Sequence, residues 1–409
     1  MLLYRLKKRA EHAFKEIPLA FLSGYKISPR LKGIGLAGML ACAVFLSGCA
    51  GVPESGTGES AAGAPRSSYD ADAQADGGYY YETLTDDGQR TIYMQMLQSM
   101  RQMGQEELLD CQDADLLYRI FCAVLADHPE LFYVTGYTNT EVLQGGEILH
   151  MLFSASYSMS EAEAAQCQSR IDDFVTACLS CLPEGDDYAR IRYLYEYVIC
   201  NTEYDLEAPE NQNICSVFLY GRSVCQGYAK AFQYLCREAG IEAALVTGRI
   251  RESGYRHAWN LVRSNGAYYY VDATWGDASY TMEGAAAAGM PDVNYEYLCV
   301  TTEQIERTHE IDLSVAGMPY CTATEDNYYV REHALFTAFD ERALDLFLTD
   351  RPGTAYVTFR CETADVYSAY HDYLIGQEHI FDYMDSPAGV SYSDNEDTLT
   401  FGFWLPQNG

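Results

Sequence analysis

The dipeptide Asn265-Gly266 lies between two runs rich in aromatic and apolar residues, Arg256-His-Ala-Trp-Asn-Leu-Val262 and Ala267-Tyr-Tyr-Tyr-Val-Asp-Ala-Thr-Trp275. Asn-Gly between such runs is a strong hairpin signal, because a two-residue type I′ turn needs positive φ at both central positions. With that turn, Ser264 faces Ala267, His257 faces Thr274, and Asp272 is the diagonal neighbour of His257 on the same side. A slide of two residues puts His257 directly across from Asp272. A slip of one would send the two side chains to opposite faces. In either of the first two registers one face carries an imidazole beside a carboxylate, within reach of a hydrogen bond. Such a carboxylate fixes the imidazole tautomer, stabilises its cation and leaves the second ring nitrogen for a nucleophile. The same pair also serves as an ordinary half-buried structural contact, so a nucleophile has to be found elsewhere.

The segment Ser223-Val-Cys-Gln226 supplies one. Ser followed three residues later by Gln has the form of a capping box. Beyond it, Tyr228, Ala231, Phe232, Leu235 and Ala239 form a helical stripe that Gly240 ends. With Ser223 as N-cap, Cys225 falls at the second helical position. There the backbone N–H groups lack intrahelical partners and the macrodipole is positive, which favours an anionic sulfur and can hold an oxyanion. Gly227 keeps the following turn slim for an approaching substrate. Taken alone, a cysteine at a helix start is more often a packed core thiol. Beside a His–Asp pair it becomes the candidate nucleophile.

The rest of the chain limits where such chemistry takes place. Residues 1–32 are basic, an apolar run covers 33–45, and Leu46-Ser47-Gly48-Cys49 follows. The run is too short for a spanning helix, which needs about 20 residues, and fits a signal-peptide core. Its end resembles a bacterial lipobox, which implies that Cys49 is diacylated and becomes the mature N-terminus. Removal of 1–48 takes 8 of 27 basic and 2 of 59 acidic side chains, leaving 19 against 57. So acidic a body repels nucleic acid and anionic lipid heads. It fits a protein held off the outer face of the cytoplasmic membrane by a tether, here the Gly-, Ser- and Ala-rich stretch 49–78.

Beyond the tether, residues 79–185 read as mainly helical. Stripes run over Thr91–Met103 and Asp113–Leu125, Leu131–Val134 and Ile148–Tyr157 have strand character, and a helix opens at Ser158-Met-Ser160. Residues 186–318 hold the chemistry, and 319–409 alternate aromatic strands with a helix near Val366–Leu374 as a small α+β domain. Most of the 14 cysteines sit in apolar periodic segments and read as buried thiols. Cys178 and Cys181 have metal-knuckle spacing without a second pair, so no metal or cofactor is expected.

SVCQGYAKAF, RHAWNLV and YYYVDATWGD, in that order, resemble the transglutaminase-like superfamily of papain-fold thiol enzymes. The resemblance implies an α+β fold whose core packs the Cys-bearing helix on an antiparallel sheet carrying His and Asp. It implies Cys225 as nucleophile, His257 as general base and acid, Asp272 as orienting carboxylate, and Trp259 and Trp275 as walls of the substrate site. Tyr228 would pack beneath the helix. Gln212 is a candidate side-chain oxyanion donor, and Cys215 ranks far below Cys225. Such a set performs acyl transfer through a thioester. The expected activity is that of a cysteine peptidase or amidase acting on peptide or protein at the cell envelope. The alternatives are a protein-glutamine crosslinking enzyme and a non-catalytic envelope or adhesion protein.

Overall fold

A computed structural model describes residues 26–27 and, from 77 to 404, all residues except 105, 279–291, 313–316, 350–355 and 384–391. The lipobox and Cys49, the signal segment apart from residues 26–27 and nearly all of the tether lie outside the described residues. No helix among the described residues is long and apolar enough to cross a membrane.

The first layer begins with helices α1 (Tyr79–Thr83), α2 (Asp87–Arg101) and α3 (Ala114–Asp127). They pack on strands β1 (Glu107–Leu109), β2 (Val134–Gln144) and β3 (Glu147–Tyr157), hydrogen-bonded in the order β2–β3–β1. The local signals explain the boundaries. Asp86 and Asp113 cap α2 and α3 through their carboxylates, and α3 stops where His128-Pro129 follows. Ile92, Met96, Leu97, Met100, Leu117, Phe121 and Val124 form the buried face against Tyr137, Met151 and Phe153. Asp127 closes the layer, accepting from the N–H groups of Tyr80 and Tyr81 and from the Tyr93 hydroxyl.

Helix α4 (Glu161–Leu179) starts at a capping box in which Ser160 and Glu163 satisfy each other's backbone N–H. The sequence groups this helix with the N-terminal region, but its Ile171, Val175 and Cys178 enter the next core. There they meet α5 (Asp187–Cys200), α6 (Ile214–Tyr220) and α7 (Cys225–Glu238). That core fills one face of an antiparallel sheet of β6 (Ala243–Ile250), β7 (Arg256–Ser264), β8 (Ala267–Val271) and β9 (His309–Ile311), ordered β9–β6–β7–β8. Ala244, Val246, Trp259, Leu261 and Tyr270 bury the other face.

The C-terminal unit has its own core around Phe359, Tyr370, Phe401 and Phe403. Its sheet is ordered β10 (Leu335–Phe336), β11 (Tyr356–Cys361), β13 (Thr400–Trp404) and β12 (Tyr392–Asn395). The helix expected near Val366–Leu374 is α-helical over Ala364–His371 and widens to a π turn over Asp372–Gly376. The unit also has the short helix Tyr328–Arg331, a helix over Glu341–Thr349 and another over Ile380–Tyr383.

Glu130 ties the N-terminal layer to α7. Its carboxylate accepts from Arg101 Nη2 at 3.1 Å, His128 Nδ1 at 3.0 Å and Arg237 Nη1 at 2.9 Å. Burial opposes the charge, but His128 and Arg237 hold the carboxyl well below the usual carboxylate range. A depressed carboxyl adds stability above its unfolded value, about 4.3, and loses it as pH falls towards the folded value. Glu130→Gln is expected to cost about 1–3 kcal/mol at neutral pH. In thermal melts its deficit relative to wild type should shrink steadily below about pH 4. A deficit independent of pH would contradict this account of the tie.

Candidate active site

The hairpin forms in the first register expected. Ser264 pairs with Ala267, and the ladder runs to Asn260 opposite Val271. Asn265 and Gly266 have φ of 48° and 90°, the positive pair a type I′ turn requires. The strand expected to reach Trp275 instead ends at Val271, and a single helical turn, α8 (Ala273–Gly276), follows. Asp272 is the N-cap of that turn: its Oδ1 accepts from the N–H groups of Thr274 (2.9 Å) and Trp275 (3.1 Å). His257 therefore has no Thr274 partner across a ladder. The chain turns at Asp272, and its second oxygen, Oδ2, lies 2.6 Å from His257 Nε2.

The start of α7 also differs from its expected form. Val224, not Ser223, occupies the N-cap without a side-chain cap, so Cys225 is the first helical residue. Ser223 instead ends the short strand β5 (Arg222–Ser223), which pairs with β4 (Glu203–Tyr204), and its hydroxyl is 2.6 Å from Ser216 Oγ and 3.2 Å from Asn211 O. These contacts pull the start of α7 onto α6. Gly227 is required by this packing and not by substrate approach: a Cβ there would lie 1.9 Å from Ser223 Oγ and 2.7 Å from Ser216 Oγ. The N–H groups of Gly227 and Tyr228 both return to Val224 O. The two N–H groups ahead of them, on Cys225 and Gln226, are the ones placed to receive an oxyanion.

Folding thus brings Cys225, His257 and Asp272 together. The Cys225 thiol lies close enough to the His257 ring to raise its basicity. With Nε2 turned to Asp272, Nδ1 is the nitrogen left for the sulfur. Burial alone would lower the basicity of His257, but the Asp272 carboxylate outweighs it and, with Cys225, holds the imidazole well above its ordinary value. Burial would raise the Asp272 carboxyl, but His257 and a second histidine, His309, hold it below the usual range.

The two tryptophans divide. Trp259 is fully buried, stacks on His257 at 5.9 Å and meets His309 edge-on at 4.9 Å, so it supports the site from within and offers substrate no surface. Trp275 is partly exposed, 6.1 Å from His257, and its indole N–H finds no partner among the described residues. Tyr228 packs under the helix as expected, its hydroxyl 2.9 Å from Thr202 O. Cys215 is a core thiol whose ionisation burial suppresses. Gln212 adjoins Asn211, the residue whose carbonyl meets Ser223, and its Oε1 is buried without a partner among the described residues.

His309 is the residue sequence reading did not single out. It lies 52 positions beyond His257 on an edge strand with no motif around it, and only the pairing of β9 with β6 brings it in. His257, Asp272 and His309 place three ligand-type atoms within 4.8 Å of one another, the one such group among the described residues. Both Nε2 atoms point at the same carboxylate oxygen, at 2.6 and 3.1 Å, so hydrogen bonds satisfy all three groups without an ion.

The sulfur is not on an open groove. Cys225 is 2% exposed and His257 1%, and the thiol packs with Ala229, Leu245 and Ala258, beside Ala126 of the N-terminal layer. That layer is bound down by Tyr80 Oη on Leu245 O (2.6 Å) and Gln233 Nε2 on Ala126 O (2.8 Å).

Asp272→Asn should keep the fold and lose the chemistry. The amide oxygen still caps α8, but its NH₂ then faces two imidazole Nε2–H groups. His257 answers by moving its proton to Nδ1, the wrong tautomer towards the sulfur, as in triads where this exchange lowers kcat by about 10⁴. Alkylation of Cys225 at neutral pH should fall at least about tenfold. Unchanged reactivity would show that Asp272 does not set the tautomer.

Residues 180–273 match the family model of the transglutaminase-like superfamily. That segment holds Cys225, His257 and Asp272. Two curated relatives are the kyphoscoliosis peptidases of Mus musculus and Homo sapiens. The mouse protein is 30% identical over 105 residues, covering 22% of this chain and 16% of its own length. The human protein is 28% identical over 130 residues, covering 28% and 19%. The matched part of the chain thus spans less than a fifth of the length of these relatives. Among solved structures, a TGase aligns over 41% of this chain and 50% of its own, at 13% identity and a TM-score of 0.25. The periplasmic domain of TgpA from Pseudomonas aeruginosa aligns over 34% and 60%, at 18% identity and a TM-score of 0.21.

Proposed function

We propose that this chain is a lipid-anchored thiol enzyme of the bacterial cell surface that cleaves peptide or protein amides through a thioester on Cys225. The observation that carries the reading is the position of His257, its Nε2 2.6 Å from Asp272 Oδ2 and its ring near enough to the Cys225 thiol for the sulfur to raise its basicity. In the proposed cycle the Cys225 thiolate attacks the amide carbonyl while the first-turn N–H groups take the oxyanion. The His257 imidazolium then gives its proton to the departing amine, leaving a thioester. His257 next removes a proton from water, which attacks the thioester and releases the acid. Asp272 stays ionised throughout and holds the ring. The lipobox-like Leu46–Cys49 supports anchoring, and the acidic body favours substrates other than nucleic acid.

One observation favours a second reading, a non-catalytic envelope protein that keeps the fold: the sulfur is 2% exposed. Hydrolysis requires the contacts over Cys225 to open. Incubating the wild type and Cys225→Ala with a peptide library and a labelled primary amine separates the outcomes. New peptide termini that require Cys225 support hydrolysis. Amine incorporation with release of ammonia points instead to crosslinking. Neither outcome, with an inert sulfur, overturns the enzymatic reading. Cys49→Ser should release the protein from membranes. Retention would remove the anchor from the proposal.

A further inference from the structure

His309 is completely buried yet meets the carboxylate of the thiol site directly, its Nε2 3.1 Å from the same Asp272 oxygen that His257 contacts. A carboxylate oxygen only accepts, so both Nε2 atoms carry hydrogen. His309 Nδ1 lies 2.8 Å from Thr308 Oγ1, and Tyr297 Oη lies 3.5 Å from that same hydroxyl. With Nε2 protonated and burial opposing a second charge, Nδ1 is a lone-pair acceptor; the Thr308 hydroxyl, which also has Ile305 O at 3.4 Å, donates to the nearer Nδ1. The ring is boxed by Trp259 at 4.9 Å, Trp275 at 4.8 Å and Tyr297 at 5.7 Å, which fixes its orientation. Asp272 therefore accepts four hydrogen bonds: two backbone N–H groups on Oδ1 and two imidazoles on Oδ2.

We propose that His309 is a positioning residue of the thiol site: a neutral imidazole, oriented by Thr308, that aims Asp272 at His257 and shares the carboxylate's charge with it. The inference rests on the thiol-site reading above and names a group that reading does not use. Its consequence is a limit on how tightly Asp272 holds the His257 proton. Without the His309 donor, Oδ2 has one remaining imidazole partner, so the charge falls more fully on His257 and favours its cation. The titratable groups facing the pair are Cys225 from α7, Tyr195 from α5, Tyr297 after α8 and His309 from β9, the two tyrosines being held neutral by burial.

The test uses the full chain and two readouts. Iodoacetate is anionic and is drawn to Cys225 by the His257 cation, so its alkylation rate falls at alkaline pH as that cation loses its proton. His309→Phe fills the box without donating, and should move the alkaline limb to higher pH by about half a unit or more. His309→Gln restores a donor and should return the limb to its wild-type position. Thr308→Val frees the His309 tautomer with little change of shape, and should move the limb the same way by less. Proton NMR of the wild type should show two downfield imidazole N–H resonances, one of which is lost in His309→Phe. That spectrum does not depend on thiol reactivity. Two resonances with an inert sulfur would sink the enzymatic reading and leave the His309 assignment standing. A limb unmoved by His309→Phe, equal movement in Phe and Gln variants, or a single resonance in wild type would overturn the proposal.

Discussion

His257→Gln is expected to reduce Cys225-dependent turnover by about 10³-fold or more while the protein stays folded. Glutamine can still donate an amide N–H to Asp272 Oδ2, which in wild type lies 2.6 Å from the ring, so the buried carboxylate keeps a partner. It cannot hold or release a proton at neutral pH, so neither activation of the thiol nor protonation of the leaving amine survives. His257→Ala should lose as much activity and, in addition, about 3–5 kcal/mol of stability, because removing one partner strands a charge in a dry site. Steady-state assays together with thermal melts separate the two effects. Appreciable turnover in the glutamine variant would mean that the base lies elsewhere.

Gly248→Ala should be the most disruptive single-methyl change near the site. Gly248 pairs with His257 on one side of β6 and with Ile311 on the other. A Cβ there would stand 2.1 Å from the carbonyl oxygen of Glu310 and 2.6 Å from Trp259 Cη2. The first neighbour is backbone and the second a fully buried ring, so neither can yield cheaply. Relief requires β9 to move away from β6, and β9 carries His309. Overpacking of this kind costs about 1–3 kcal/mol, sometimes more. The expected result is a clear loss of melting temperature together with the alkaline-limb shift of His309→Phe. A variant as stable as wild type would show that the close approach of β9 is not maintained in solution.

Much of the site was legible where the signals are local. Asn265-Gly266 fixed the hairpin register through backbone sterics alone, and Ser160 with Glu163 marked a helix start that forms as written. Local signals failed where tertiary contacts overrode them. Ser223 has the sequence of an N-cap, but Ser216 and Asn211 take its hydroxyl, so the helix starts one residue later than a cap there would allow. Asp272 reads as a strand residue, but its carboxylate caps α8 and turns the chain before the strand is complete. His309 could not be found from spacing, because its link to Asp272 comes from pairing between β9 and β6, a contact across nearly sixty residues. The burial of Cys225 was illegible for the same reason: Ala126 packs beside it, and Tyr80 bonds its neighbour Leu245, from a layer far away in sequence.

The central claim is that Cys225 is held beside an imidazole that a carboxylate keeps in place, and the most direct measurement is the rate of Cys225 alkylation as a function of pH, read by mass spectrometry of its peptide. The exposed Cys181 of the same chain and free cysteine in solution serve as references for comparison. An activated thiol should react at about pH 6 much faster than these references, and should lose that advantage in His257→Gln, since a free thiol ionises only near about 8.5. A rate at or below that of the reference thiols across the whole range, unchanged by His257→Gln, would contradict the account.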